Sequence, residues 1–140
     1  MASIKSLSAS IQVFSDDTNL DAYDGKTVWT RDPAQTYQVW QLELVGETTA
    51  GTGIYTIEST HYKGQCLEAT TRDGSVTLKP RSPDKLSQRW LVDLGQEQTT
   101  IESRKFPALL ITANGVDQAV TVKESAQGAP NQMWTFYDKM

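Results

Sequence analysis

A carboxylate and an aromatic ring set across a tight turn make the one chemically suggestive pairing in this sequence. Asp21 and Trp29 flank the turn signal Asp24-Gly25, so that they fall on neighbouring strands of a hairpin. A carboxylate offers two oxygens to hydroxyl donors, and an indole offers a negative face to weakly positive C–H groups. Such a pair suits a ligand with an apolar ring face and a rim of hydroxyls. Tyr23, Asp24, Gly25, Lys26 and Thr27, in the turn itself, supply further polar contacts. Other chemistries lack their residues. His61 is the only histidine, so no two-histidine metal site exists, and there is neither a Gly-x-Ser-x-Gly elbow nor a phosphate-cradling glycine loop. Cys66, the only cysteine, precedes Leu67 in an apolar strand and reads as a buried structural thiol; no intramolecular disulfide is possible, which implies a reducing compartment or a fold indifferent to redox state. No cofactor is called for.

The elements that must position Asp21 and Trp29 are announced by three triplets, Gln38-Val39-Trp40, Gln88-Arg89-Trp90 and Gln132-Met133-Trp134, separated by 50 and 44 residues. Each is followed by alternating apolar residues (Leu42 and Leu44, Val92 and Leu94, Phe136), the period of a strand with one buried face. The register extends to other strands: Tyr55–Ser59 lies 44 residues before Thr99–Ser103, and Val76–Lys79 lies 44 before Val120–Lys123. Ile11–Phe14 and Lys26–Trp29 are the first-unit counterparts. A repeat of this period marks a supersecondary unit copied to close an array. Each copy reads as four strands, giving about twelve, with no helical periodicity held for three turns. Three such units closing about a pseudo-threefold axis make an all-β fold, a β-trefoil, as one domain over 1–140 with repeats at about 8–46, 53–95 and 98–140. The triplet tryptophans then fill the shared core, and the glutamine amides bond backbone where a loop crosses a strand. A paired-carboxylate glycosidase needs a second acid that the repeat does not place beside Asp21, so the chain reads as a non-enzyme.

Counting back from each triplet aligns Trp29 with Lys79 and Lys123. Two lysines at equivalent places mark a position facing water, so Trp29 is expected to be largely exposed, with Val28, Leu78 and Val122 as the core members one residue earlier. His61 and Tyr62, in the first loop of the second unit, read as solvated, with Tyr62 the alternative source of an aromatic ring near Glu68.

The thrice-repeated Gln-x-Trp, in register with Leu-Asp or Leu-Glu further back, resembles the ricin B-chain type of β-trefoil lectin over essentially the whole chain. The resemblance is closest in kind to cysteine-poor fungal and bacterial members. It implies that each unit can carry a shallow sugar pocket, made from an acid after the apolar residue of the second strand, an aromatic at the end of the third, and a polar residue before the triplet glutamine. Those positions hold Asp21, Trp29 and Tyr37 in the first unit, Glu68, Lys79 and Ser87 in the second, and Ile111, Lys123 and Asn131 in the third. Only the first keeps both acid and aromatic; Glu68, Lys79, Ser87 and Asn131 are weaker second-site candidates. The implied ligand is terminal galactose or N-acetylgalactosamine on a glycan or glycoconjugate, held near millimolar, about −4 kcal/mol, with avidity from further sites or a homodimer. The competing expectation is a protease inhibitor or protein-interaction scaffold acting through the loop from Pro80 to Leu86.

The net charge of −4 comes from interspersed acids and bases, with no basic cluster for nucleic acid or anionic lipid. The N-terminus lacks the apolar stretch of a signal peptide, and no segment has the length of a membrane span. A cytoplasmic or unconventionally secreted protein, with no membrane insertion, is the expectation.

Overall fold

A computed structural model describes residues 4–34, 36–82 and 84–139. Of the stretches singled out above, Met1–Ser3 of the N-terminus, Gln35 in the first connecting loop and Pro83 in the second lie outside the described residues. The first unit supplies β1 (Ser6–Val13), β2 (Asn19–Asp21), β3 (Trp29–Arg31) and β4 (Trp40–Glu47). The second supplies β5 (Gly53–Ser59), β6 (Gln65–Ala69), β7 (Val76–Pro80) and β8 (Trp90–Val92). The third supplies β9 (Ile101–Ser103), β10 (Leu109–Thr112), β11 (Gln118–Ala119), β12 (Thr121–Glu124) and β13 (Trp134–Asp138). Single 3-10 turns at Leu86–Gln88 and Pro130–Gln132 lead into the second and third tryptophans.

All pairings are antiparallel. Six strands form a ring: β1 pairs β4, β4 pairs β5, β5 pairs β8, β8 pairs β9, and β13 returns to β1. Two backbone bonds of 2.9 Å between Thr99 and Trp134 close it. The hairpins β2–β3, β6–β7 and β10–β12 cover one end. There the three units meet in a cycle of backbone bonds: Val28 N–H donates to Val76 O (3.1 Å), Val76 N–H to Val120 O (3.0 Å), and Val120 N–H to Val28 O (3.0 Å). This is the β-trefoil that the repeat predicts. There are thirteen strands among the described residues, against about twelve expected, because the third strand of the third unit changes partner at Val120, from β3 on one side to β10 on the other.

Trp40, Trp90 and Trp134 are 0% exposed and share one core with Ile11, Leu42, Ile57, Val92 and Ile101. A buried indole N–H needs an acceptor. Each donates to the carbonyl of an apolar residue on the second strand of its own unit: Trp40 to Leu20 (3.1 Å), Trp90 to Leu67 (3.2 Å) and Trp134 to Ile111 (3.1 Å). Cys66 is fully buried, and burial, with the charge of Glu58 adding to it, pushes its thiol up to about 11, out of reach as a nucleophile at neutral pH.

Because the indole of Trp90 both fills the core and satisfies Leu67, Trp90→Phe is expected to cost about 2–3 kcal/mol in urea unfolding, from lost volume and an orphaned carbonyl. A loss below about 1 kcal/mol would show that the N–H bond contributes little.

Candidate ligand site of the first unit

The triplet glutamines do more than bond backbone. Gln38 Nε2 donates to Asp21 Oδ2 (2.9 Å) and to Asp32 O (2.8 Å), while its Oε1 accepts from Ala34 N–H (2.7 Å) and Asn19 Nδ2 (3.0 Å). Gln88 repeats the pattern on Glu68 (2.9 Å) and Pro80 O (2.8 Å), and Gln132 on the hydroxyl of Thr112 (3.1 Å) and Glu124 O (2.9 Å). Each glutamine therefore clamps the side chain at the end of the second strand. That fixes the acid position of the third unit at Thr112; Ile111, one residue earlier, is the residue whose carbonyl holds Trp134.

The valine cycle also corrects the alignment of Trp29. Since Val28, Val76 and Val120 are equivalent, Trp29 corresponds to Thr77 and Thr121, and the lysine position of Lys79 and Lys123 is filled in the first unit by Arg31. Strand pairing agrees: Asp21 faces Trp29, Glu68 faces Thr77, and Thr112 faces Thr121. The misplacement has a simple origin. Val28 lies 12 residues before Trp40, whereas 14 separate Val76 from Trp90 and Val120 from Trp134, so two residues are missing between the third strand and the first triplet. Trp29 is accordingly half-buried, not largely exposed. It pairs with Ala119 of β11, lies against Tyr23 (centroids 5.8 Å apart, 51° between planes), and donates its N–H to Asp24 Oδ2 (3.3 Å).

The same deletion reshapes the loop. Ser87 and Asn131 occupy 3-10 turns, but Tyr37 adopts φ +67°, a left-handed conformation that costs a non-glycine residue about 1 kcal/mol or more. Its carbonyl accepts the N–H of Ala22 (3.0 Å), and the residue lines a depression of about 320 Å³ together with Asp21, Arg31, Thr36, Gln38 and Asp117. Asp21 is 2% exposed, and its other oxygen accepts Tyr23 N–H (2.8 Å). Trp29 lies outside this depression and lines an adjoining one of about 110 Å³ with Tyr23, Arg31 and Asp117. Asp24, Gly25, Lys26 and Thr27 line neither. Asp24 Oδ1 accepts the N–H groups of Lys26 and Thr27 (both 2.9 Å), and Gly25, at φ +70°, makes the turn. Partial burial opposes the charge on Asp24, but these bonds, that of Trp29 and the ammonium of Lys26 together hold its carboxyl below the ordinary 3.8.

Two residues that sequence reasoning missed join the depressions. Arg31 sits 4.5 Å above the Tyr23 ring and pairs through Nε with Asp117 (3.3 Å). Asp117 comes from the third-unit turn, which docks on β3 through Asp117 N–H to Thr30 O (2.7 Å) and Thr30 Oγ1 to Gly115 O (2.8 Å). Nothing in the sequence pairs them, because Asp117 reaches Arg31 from another unit, 86 residues away.

The other units are built differently. Glu68 is buried and receives Lys85 Nζ (3.6 Å) as well as Gln88, with Lys79 exposed and Ser87 buried nearby in sequence. Asn131 donates to Ala113 O (3.1 Å), and Lys123 is exposed. His61 is exposed as expected, but Tyr62 is half-buried, with its hydroxyl on Tyr23 O (2.9 Å) and its ring over Gly25. Within the loop of the competing expectation, Arg81 reaches Glu58 (3.4 Å) and Glu43 (3.8 Å).

No protein-family model and no curated protein matches the sequence. Solved structures do match the fold. A GlcNAcα1-4Gal-releasing endo-β-galactosidase from Clostridium perfringens aligns with a TM-score of 0.81 at 12% identity, over 96% of this chain and 33% of its own. The Polyporus squamosus lectin bound to Neu5Acα2-6Galβ1-4GlcNAc aligns at 0.77 and 18%, over 96% and 50%. A non-toxic homologue of type II RIPs from Momordica charantia, in complex with α-methyl-D-galactoside, aligns at 0.71 and 17%, over 95% and 48%. The chain thus spans a third to a half of the length of these proteins.

Two expectations follow. Trp29→Thr takes the residue of the other two units and is expected to keep the melting temperature within about 4 °C, the shift that 1 kcal/mol gives in a chain of this size; unfolding would contradict the revised equivalence. The lowered Asp24 carboxyl stabilises the fold above its ordinary 3.8, and that contribution disappears as pH falls through the lower folded value. The melting-temperature gap between the parent and Asp24→Ala is therefore expected to be full at pH 6 and to shrink below pH 3.8; a gap independent of pH would refute the charge-based account.

Proposed function

We propose that the chain binds neutral glycans, with terminal galactose or N-acetylgalactosamine as the recognised sugar, through the depression of the first unit. The observation that carries this reading is the Asp21 carboxylate, fixed by Gln38 and by Tyr23 N–H in a depression that Tyr37 also lines. Each carboxylate oxygen has a second acceptor site, so Asp21 keeps capacity for sugar hydroxyls while its orientation is already set. Tyr37 presents the ring for the apolar sugar face, a role the sequence assigned to Trp29; Trp29 instead borders the adjoining depression and, with Asp24, stiffens the hairpin. Asp21, Asp32 and Asp117 face one cation, Arg31, which Asp117 already engages, so the local charge disfavours an anionic ligand. Structural likeness to a protein described in complex with α-methyl-D-galactoside is consistent with galactose as the recognised sugar. Several copies, most simply a homodimer, would raise a millimolar site to useful avidity.

Asp21→Asn tests the reading by calorimetry with methyl β-galactoside. Hydrogen bonds to a charged acceptor are worth about 1.5–3 kcal/mol, so a ligand held by about 4 kcal/mol escapes detection once they are lost. Because Asp21 is 2% exposed and satisfies Gln38, the change also costs about 1–3 kcal/mol of stability, unlike a surface substitution, and binding is compared below the variant's melting transition. Undiminished binding by the folded variant, or stronger binding of 3′-sialyllactose than of lactose by the parent, would place the site or its charge preference elsewhere.

A further inference from the structure

We infer that the first-unit depression continues onto a second subsite supplied by the second unit, where Tyr37, His61 and Tyr62 stack the next sugar of a neutral oligosaccharide. This rests on the reading that the depression holds a neutral glycan. Tyr37 belongs to both places: it lines the depression, and its ring lies 4.5 Å from that of His61 and 6.0 Å from that of Tyr62, nearly parallel to the latter at 13°. His61 and Tyr62 meet edge-on at 4.7 Å, so the three rings form one contiguous aromatic surface. Their side of the chain is fixed in advance. Thr60 bonds Val39 O through both its N–H (3.1 Å) and its hydroxyl (2.9 Å), Tyr62 N–H bonds Ser59 Oγ (2.9 Å), and the Tyr62 hydroxyl bonds Tyr23 O (2.9 Å). Rings already held in place lose little freedom when a ligand stacks on them.

The other junctions between units show which of these rings the fold requires. Phe14 N–H to Met133 O, Thr60 N–H to Val39 O and Arg104 N–H to Arg89 O are equivalent bonds, and Tyr62 N–H to Ser59 Oγ matches Phe106 N–H to Ser103 Oγ. Tyr62 thus corresponds to Phe106, and both rings pack on the core. His61 corresponds to Lys105, and Tyr37 to Ser87 and Asn131. Between the third and first units, the loop Ser15–Thr18 that follows Phe14 offers no ring at the place of His61 or Tyr62. Only Tyr62 therefore has a counterpart in packing. Tyr37, kept at a strained φ of +67°, and the exposed His61 are not needed to close the trefoil.

The test is calorimetry of the whole chain with methyl β-galactoside, lactose and the neutral tetrasaccharide lacto-N-neotetraose. The parent is expected to prefer the longer sugars by about threefold to tenfold, the contribution of one aromatic contact. His61→Ala, at an exposed site, is expected to reduce that ratio, whereas Tyr37→Ser, the second unit's own residue, is expected to weaken all three sugars because Tyr37 also lines the depression. A parent that binds the monosaccharide but gains nothing from further sugars, or a folded His61→Ala variant with the full preference, overturns the subsite and leaves the depression standing. A parent that binds none of the three overturns both.

Discussion

A primary amide buried in a protein must find partners for two donors and an acceptor, and that requirement at Gln38, Gln88 and Gln132 organises the rest of the chain. Each amide satisfies itself between the end of a second strand and the loop that follows the third, so it staples hairpin to loop within a unit. The tryptophan two residues on performs the complementary task, closing the same second strand through its indole N–H while filling the core. Fold and site therefore share a part. The bond that orients Asp21 is the one that the trefoil needs in every unit, and only the identity of the clamped side chain differs: a short acid, a longer acid or a hydroxyl.

What differentiates the first unit is a deletion, not an added feature. With two residues fewer before the triplet, the loop cannot make the 3-10 turn that holds Ser87 and Asn131, and the chain gets round the corner by placing Tyr37 in the left-handed region. The ring is thereby delivered beside the clamped carboxylate and toward the rings of His61 and Tyr62. In the second unit the unshortened loop brings Lys85 to Glu68, and an acid with an ammonium already on it is a poorer acceptor for hydroxyls. In the third the clamp holds only Thr112.

This also explains how far the sequence could be read. Triplet spacing and alternating apolar residues reveal the trefoil because they report burial, and burial repeats with the fold; the three buried tryptophans and Asp21 in its strand were legible for that reason. Trp29 is not legible in the same way, because identical spacing to the triplet does not mean identical position: a deletion on the near side of a strand looks the same in sequence as one on the far side. Only the backbone cycle through Val28, Val76 and Val120 distinguishes them. Arg31 and Asp117 were hidden for a different reason: they lie 86 residues apart and meet because the third-unit turn docks on β3, a contact between units that no within-unit pattern encodes.

That last contact gives the candidate site a dependence on the whole architecture. Asp21, Gln38 and Tyr37 come from the first unit, Asp117 from the third, and the ring surface beside them from the second. The third-unit turn is held by the same strand exchange that completes the valine cycle, and Thr60 ties the second-unit loop to the residue just before Trp40. A single unit would carry the acid but neither of its flanks. The symmetric closure of the fold, which by itself treats all three units alike, is thus what gathers their differences at one junction.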